Sequence, residues 1–373
     1  MAEAIPSGGE DGQGGEAGET DPAPPGGTSA RRRTTRRRTL RMLGIGTAVL
    51  LLAAAGTGWW MYRSLDGNIK AVDLDRALGD DRPLKVASAL GATDILVLGS
   101  DSRAGDNAEL DGGAVSGARS DTALVMHVSE NRTEAVAVSI PRDTLVSRPS
   151  CTTADGTELG PATRVMFNSV YSQAGAACVV KTVEKMSGVR IDHLLEIDFA
   201  GFKELVDEIG GVTVDISDPI HDTKGGFTLE AGSHHLNGTD SLKFVRTRYG
   251  YGDGSDLGRI GLQQQFLTAL LSEVRQQDLL GDPVTSYRIA RTMTKSLTTD
   301  SELASLTALA EFGRSMQGID PGSLDTVMLP VEYDRADPNR VVAAEPQATD
   351  LWEAVRQDEE IPASARKSPA TGG

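Results

Sequence analysis

Histidine and cysteine are scarce in this chain, five and two among 373 residues. His127, His193, His221, His234 and His235 follow no metal-ligand spacing, and the adjacent His234-His235 pair reads as loop surface. No Ser-His-Asp or Cys-His constellation can be assembled from the sequence. Without histidines spaced around them, Cys151 and Cys178 make a poor zinc site. An even count in an oxidising compartment suggests one disulfide instead, with two free thiols as the alternative. That bond would tie the loop 147–163 to the start of the next helix. Bases are also in deficit: 53 acids face 37 bases. Six of those acids and seven arginines lie in residues 1–41, which leaves 47 acids, 30 bases and a net charge of −17 beyond that point. Such a balance excludes nucleic acid as a partner. No internal repeat is present.

What the chain does have begins with an uncharged stretch of 21 residues, MLGIGTAVLLLAAAGTGWWMY, at 42–62. A helix of that length spans roughly 30 Å, the thickness of a bilayer core. Seven arginines in residues 31–41 mark the preceding flank as cytoplasmic, and Trp59, Trp60 and Tyr62 fall where aromatic rings favour the interface. The expected topology is one span, with the N-terminus inside and about 310 residues outside. The rival reading is a cleaved signal, since Arg37-Arg38-Thr39-Leu40 resembles a twin-arginine signal and Ala53-Ala54-Ala55 a cleavage site. The apolar run continues past Ala55 to the aromatic belt, which favours the anchor. Residues 1–30, rich in Gly, Pro and Glu, are expected to be disordered.

The outer part reads as one α/β domain. Short apolar runs at 94–99, 122–128 and 135–140 predict strands, with a hairpin turn at Asn131-Arg132. Residues 194–197, 212–216 and 327–330 are further strand candidates. Helix periodicity appears at 199–209, ending at Gly210-Gly211, and at 262–275, which is expected to bury Leu262, Phe266, Leu267, Leu270, Leu271 and Val274. Asp282-Pro283 opens another helix, and Asp300 or Ser301 is expected to cap one running to Phe312. These periods suit a sheet covered by helices on both faces. The expected division is 1–41 as tail and basic flank, 42–62 as the span, 63–92 as a stalk, 93–345 as the catalytic domain, and 346–373 as a C-terminal segment with a disordered tail from 364.

The chemistry-bearing residues fall at the ends of these elements. Gly99-Ser100-Asp101-Ser102-Arg103, Arg119-Ser120-Asp121-Thr122 and Pro141-Arg142-Asp143 flank the first three strands. Arg246-Thr247-Arg248 and Asp256-Leu257-Gly258-Arg259 lead into a helix whose first turn carries Gln263 and Gln264. Arginine forks match phosphate oxygens two bonds at a time. Aspartates among them suit a hard cation such as Mg2+ held against the same phosphates. A helix N-terminus beside Arg259 adds free N–H groups for an anion. Any one such Asp–Arg pair alone is an ordinary surface ion pair; the argument rests on their recurrence at strand ends.

Seven stretches in order resemble the LytR-CpsA-Psr family: DILVLGSDSR (94–103), RSDTALVMHV (119–128), SIPRDTLV (139–146), FNSVYSQAG (167–175), DFAGFKELVDEIGGVTVDI (198–216), LNGTDSLKFVRTR (236–248) and SDLGRIGLQQQFLTAL (255–270). The use of Ala, Gly and Arg points to a GC-rich, actinobacterial type. The resemblance implies a three-layer α/β/α sandwich with a mixed central sheet, outside the membrane. It implies a phosphotransferase moving an anionic glycopolymer from a polyprenyl-pyrophosphate carrier to peptidoglycan or a wall-linked glycan, with bound Mg2+ and a hydrophobic groove for the lipid. By the same resemblance Asp101 and Asp121 hold the metal. Arg119, Arg142, Arg246, Arg248, Arg259 and Gln263 surround the pyrophosphate. Asp256 activates the acceptor hydroxyl or orients Arg259, and Asn168 and Tyr171 match a motif of less certain role. Two departures stand out: Leu262 replaces a second arginine common in the family, and the lysine often found before the FNSVY-like stretch is absent, with Arg164 nearby. A non-catalytic polyprenyl-phosphate carrier or regulator, and a pyrophosphatase using water as acceptor, are the alternative functions.

Overall fold

The computed structural model describes residues 29–100, 120–153, 155–247, 256–276 and 283–371, with their side chains other than those of 29–41, 120, 121, 256, 257, 283, 321 and 371. The chain forms two compact units, Met1–Trp60 and Met61–Gly373. Most of helix α1 (Ser29–Asp66) lies in the first. Its stretch Met42–Asp66 is long and apolar enough to cross a membrane. Leu43, Leu50, Leu52 and Trp59 are all more than 60% exposed, as side chains that face lipid would be.

The second unit begins earlier than the sequence suggested. Strand β1 (Lys70–Val72) and helix α2 (Leu74–Leu78) fall inside the expected stalk. Asp73 caps α2 by accepting from the Arg76 N–H, and Leu74 and Leu78 are buried. The main strands follow: β2 (Thr93–Ser100), β3 (Ser120–Val128) and β4 (Ala135–Ser139), with the expected turn at Asn131-Arg132 between the last two. Two small hairpins come next, β5 (Leu145–Arg148) with β8 (Ala162–Met166) and β6 (Cys151–Thr152) with β7 (Glu158–Leu159). Helix α3 (Phe167–Ser187) is interrupted at Gly175, whose φ of 75° lies in the left-handed region that glycine alone adopts freely.

Strand β9 (His193–Asp198) ends at Asp198, which caps α4 (Phe199–Glu208) through the Gly201 N–H at 2.7 Å. The chain then turns at Gly211, φ 101°, where a Cβ would sit 2.9 Å from the Leu236 carbonyl oxygen. Strand β10 (Val212–Ile216) was expected as a strand but lies outside the main sheet; it pairs with β13 (Gly232–Leu236), while β11 (Ile220–Asp222) pairs with β12 (Phe227–Leu229). Helices α5 (Gly238–Arg246), α6 (Asp256–Gln276) and α7 (Pro283–Ser296) lead to β14 (Leu297–Asp300). Helix α8 (Leu306–Ser315) is capped by Ser305, not by Asp300 or Ser301. Asp300 is committed elsewhere: its carboxylate accepts from the Leu194 N–H at 3.0 Å and the Glu302 N–H at 2.9 Å. Strands β15 (Leu324–Met328), β16 (Val331–Tyr333) and β17 (Val341–Ala343) and helix α9 (Gln347–Gln357) complete the fold. The disordered tail expected from 364 is replaced by packed chain up to 371. Ile361 and Ala365 are buried, and the Ser368 hydroxyl accepts from the Val331 N–H at 3.1 Å and donates to the Val331 carbonyl. Small and polar residues concealed this packing from a reading based on hydropathy.

The central sheet has the order β1-β14-β9-β2-β3-β4-β15 and mixes parallel with antiparallel pairs. Side chains alternate across it. On one face Leu96, Leu98, Val125, Val138 and Leu194 pack under α3 and α9 in the main core. On the other, Ile95, Val128 and Ala135 form a smaller cluster with Phe312 and Met316 at α8. A third cluster joins α4, α5, α6 and β10 through Val206, Val212, Phe244, Leu262 and Phe266. Burying a side chain such as Leu96 or Leu98, fully enclosed, contributes roughly 1.5–3 kcal/mol.

Candidate functional site

Strand register brings the expected motifs to one end of the sheet. Ser100 at the end of β2 pairs with Ser120 at the start of β3 and with Asp198 at the end of β9. The Ile140 N–H donates to the Ala123 carbonyl at 2.9 Å, so the chain leaving β4 toward Arg142 emerges at the same end. Asp121 is the second residue of β3 and so belongs to this edge. Asp101, Arg119 and Arg248 lie outside the described residues, as do the side chains of Asp121 and Asp256.

Helices α5 and α6 carry the remaining motifs to this edge. The Arg246 guanidinium carbon lies 4.7 Å from the centroid of the Phe199 ring, which directly follows β9. Gln263 ties the elements together: its Nε2 donates to Thr122 Oγ1 and to the Val245 carbonyl, each at 3.0 Å. One amide therefore links α6 to the residue after Asp121 and to the residue before Arg246. Arg259, one turn earlier on α6, is 3% exposed. Arg142 Nε stands 3.7 Å from Asp143, whose other oxygen accepts from Arg340 at 3.3 Å. The Asn168 N–H donates to the Arg142 carbonyl at 3.1 Å, which seats the first turn of α3 beside it.

The departures noted in the sequence acquire physical meaning. Leu262 is fully buried in the α4–α5–α6 cluster, so this position supplies packing in this chain. Arg164 pairs with Asp334 at 2.8 Å and is 56% exposed, so it takes no position in this arrangement. Of the α6 residues expected to be buried, Leu262 and Phe266 are, whereas Leu267, Leu270 and Leu271 are half-buried and Val274 is 41% exposed. The apolar residues of α6 are spread around the helix among polar ones, and its neighbours cover only some of them. Beside it the sheet face carrying Val97, Leu195 and Ile197 is likewise half-buried. The Gln263–Thr122 bond sets the start of α6 on the side of the sheet that carries these half-buried apolar side chains.

On the opposite face Glu196 was missed by the sequence reading, although it is an acid inside an apolar strand. It is 8% exposed, and its carboxylate accepts a short hydrogen bond from the Tyr171 hydroxyl. Burial, reinforced by the Glu196 charge, pushes the Tyr171 phenol far above its ordinary range, so it stays a donor. Ser100, Tyr171, Glu196 and Asp198 floor a cleft of about 960 Å³. Thr152 and Thr153 of the β6 hairpin, Ala176 and Ala177 of α3 and Ala77 of α2 also line it. Cys151 and Cys178 are joined by a disulfide, Cα atoms 5.6 Å apart, as expected. The bond reaches the second half of α3, directly after the Gly175 break.

Among the described residues one group has the spacing to hold a metal, His193, Asp300 and Glu302, and it lies at the other end of the sheet. Asp300 already accepts from backbone there.

A family model described as the LytR_cpsA_psr family matches residues 61–357. The chain is 28% identical over 309 residues to "Cell wall biosynthesis protein LcpA" of Corynebacterium glutamicum, covering 76% of this chain and 58% of that protein. It is 30% identical over 235 residues to "Polyisoprenyl-teichoic acid--peptidoglycan teichoic acid transferase TagT" of Bacillus subtilis, covering 61% of this chain and 67% of that one. The match thus spans about three-fifths of the length of the Corynebacterium relative. Among solved structures, "LytR-Csp2A-Psr enzyme from Actinomyces oris" aligns with a TM-score of 0.56 at 24% identity, covering 77% of this chain and 96% of that one. "TagT bound to LIIa-WTA" aligns at 0.55 and 22%, covering 77% and 98%. These two share the fold.

Proposed function

The chain belongs to the LytR_cpsA_psr family, and from that premise we propose that it is a phosphotransferase moving an anionic glycopolymer from a polyprenyl-pyrophosphate carrier to peptidoglycan or a wall-linked glycan. The observation that carries this reading is the bridge made by Gln263, which gathers the β3, α5 and α6 motifs at one sheet end beside a half-buried apolar face. A pyrophosphate with a long lipid tail needs both surfaces at once. The names of LcpA and TagT support the same class of work.

In this reading Arg142, Arg246 and Arg259, with Arg119 and Arg248, neutralise the pyrophosphate oxygens, and Gln263 holds their elements in register. The carboxylates of Asp101 and Asp121 would hold Mg2+; hard oxygen donors flanking paired strands suit that ion, which supplies charge neutralisation when bound. The acceptor hydroxyl oxygen bonds to the phosphorus that carries the glycopolymer. The bond from that phosphorus to the bridging oxygen breaks, and polyprenyl phosphate leaves. Asp256 takes the hydroxyl proton. Such transfer is chiefly positioning and electrostatic stabilisation, so no protein nucleophile is required. Helix α1 anchors the chain by a single span, with the arginine flank of residues 31–41 on the cytoplasmic side and the sheet domain outside.

The test incubates the purified full chain with a polyprenyl-pyrophosphate-linked glycan, Mg2+ and peptidoglycan. Covalent attachment of the glycan together with release of polyprenyl phosphate is the expected result. Release of phosphate without attachment would make the protein a pyrophosphatase, and binding without turnover a carrier.

A further inference from the structure

The cleft above Glu196 lies on the face of the sheet opposite the apolar surface. Strand alternation fixes this: Val97, Leu195 and Ile197 point to one side, whereas Ser100, Glu196 and Asp198 point to the other. The same strand ends serve both. Phosphoryl transfer sets the attacking and leaving oxygens roughly in line across phosphorus. A lipid phosphate departing along the α6 face therefore requires the acceptor to arrive from the far side.

We propose that this cleft binds the acceptor glycan, an N-acetylated hexose polymer of the peptidoglycan type, and presents its hydroxyl to the pyrophosphate end from the face opposite the lipid. The inference rests on the transfer reading above.

Three features suit a sugar chain. The volume of about 960 Å³ is at the upper end for small-ligand sites, roughly 300–1,000 Å³, and admits more than one ring. The lining is mixed: the hydroxyls of Ser100, Thr152 and Thr153 and the carboxylates of Glu196 and Asp198 offer partners for sugar hydroxyls, and Tyr171 offers an aromatic ring. Part of its lining is braced covalently, because Cys151 adjoins Thr152 and Cys178 adjoins Ala177. A lining held in place before the ligand arrives loses less conformational freedom on binding.

The experiment uses the full chain in detergent, with two probes measured by equilibrium titration: a peptidoglycan tetrasaccharide of alternating N-acetylglucosamine and N-acetylmuramic acid, and geranylgeranyl pyrophosphate. Ala77 and Thr152 are exposed at the rim, so the double variant Ala77→Trp/Thr152→Trp narrows the cleft without touching the core. The expected result is at least a tenfold loss of tetrasaccharide affinity in the variant, with geranylgeranyl pyrophosphate affinity unchanged within twofold. Wild-type protein that binds no tetrasaccharide, or a variant that binds it as well as wild type, overturns the inference. So does competition between the two probes for one site. Failure to bind geranylgeranyl pyrophosphate would instead count against the transfer reading, and the tetrasaccharide result would still decide what the cleft holds.

Discussion

The two ends of the central sheet differ in the contacts that hold their cations. At the end where β2 and β9 begin, cations sit on carboxylates at short range. Arg82 meets Glu184 at 2.7 Å, Lys85 meets Asp192 at 2.6 Å, and His127 lies between Asp94 at 2.8 Å and Asp358 at 3.0 Å. Most of these groups also bind backbone: Glu184 accepts from the Ile191 N–H, and Asp192 from the Asp94 N–H. At the other end the contacts of the arginines include a ring, a longer approach and an amide bridge: Arg246 over Phe199, Arg142 at 3.7 Å from Asp143, and Gln263 tying their elements. Charge that is saturated internally holds a fold together. The lesson is that arginine count says little; what each guanidinium already faces says more.

The largest effect should come from breaking the saturated end. Glu184 is 3% exposed, and Glu184→Ala removes the buried ion pair to Arg82 and the acceptor of the Ile191 N–H. A loss of about 3–5 kcal/mol is expected in urea unfolding, with transfer per folded molecule unchanged. Undiminished stability would show that the far end is not what holds the sheet.

Next is the covalent link beside the cleft. Replacing Cys151 and Cys178 together by serine opens a loop with a sequence separation of 27 residues. About 3–4 kcal/mol of stability should be lost, read as a lower urea midpoint. Labelling of both cysteines in native, unreduced protein by a thiol reagent would contradict the bond itself.

At the site end the effect should fall on rate and spare stability. Arg259→Lys keeps the charge and loses the planar fork, at a position that is 3% exposed. A fall in turnover of roughly 30- to 1000-fold is expected, corresponding to about 2–4 kcal/mol. An Arg275→Lys control, at a side chain 55% exposed, should match wild type. Equal turnover of Arg259→Lys and wild type would move the clamp to Arg246 and Arg248.

The smallest effect is a pH slope at the far end. Burial pushes the His127 imidazole down, but hydrogen bonding and charge from Asp94, then Asp358, outweigh it and raise the group above its ordinary value. A raised pKa in the folded state means that the contribution is complete below the unfolded value near 6.5. It is lost as pH rises through the folded value. His193 is raised in the same direction by Asp300, against its own burial, so the comparison needs a His127→Gln variant. The stability difference between wild type and that variant should shrink as pH rises above 6.5, followed by urea unfolding across that range. A difference that grows with pH would reverse the sign assigned to this pair.

Much of this was legible from sequence where apolar runs are long. Strands β2, β3 and β4, the Asn131-Arg132 turn and the Cys151–Cys178 pair all declare themselves locally. Strand β1 did not, because three residues carry no period, and its place beside β14 depends on pairing across more than 220 positions. The capping of α8 by Ser305 was missed because Asp300 looks like a cap until its carboxylate is seen bonding β9. Motifs at strand ends were visible, but their convergence was not. Gln263 reaches Thr122 across 141 positions, a contact that no local pattern encodes. Glu196 was passed over because one acid in an apolar strand gives no sign of what faces it.

The disulfide has a consequence for timing. It joins the β6 hairpin to the second half of α3, so the spacing between those elements becomes fixed only once both thiols have been oxidised. In a reducing cytosol the newly made chain would carry every side chain of the site yet lack this brace. In the topology proposed above, full competence would then arrive with export, and location itself would act as the switch. Wild-type protein held reduced should accordingly behave like the double serine variant in unfolding and in glycan affinity, and regain both when air-oxidised.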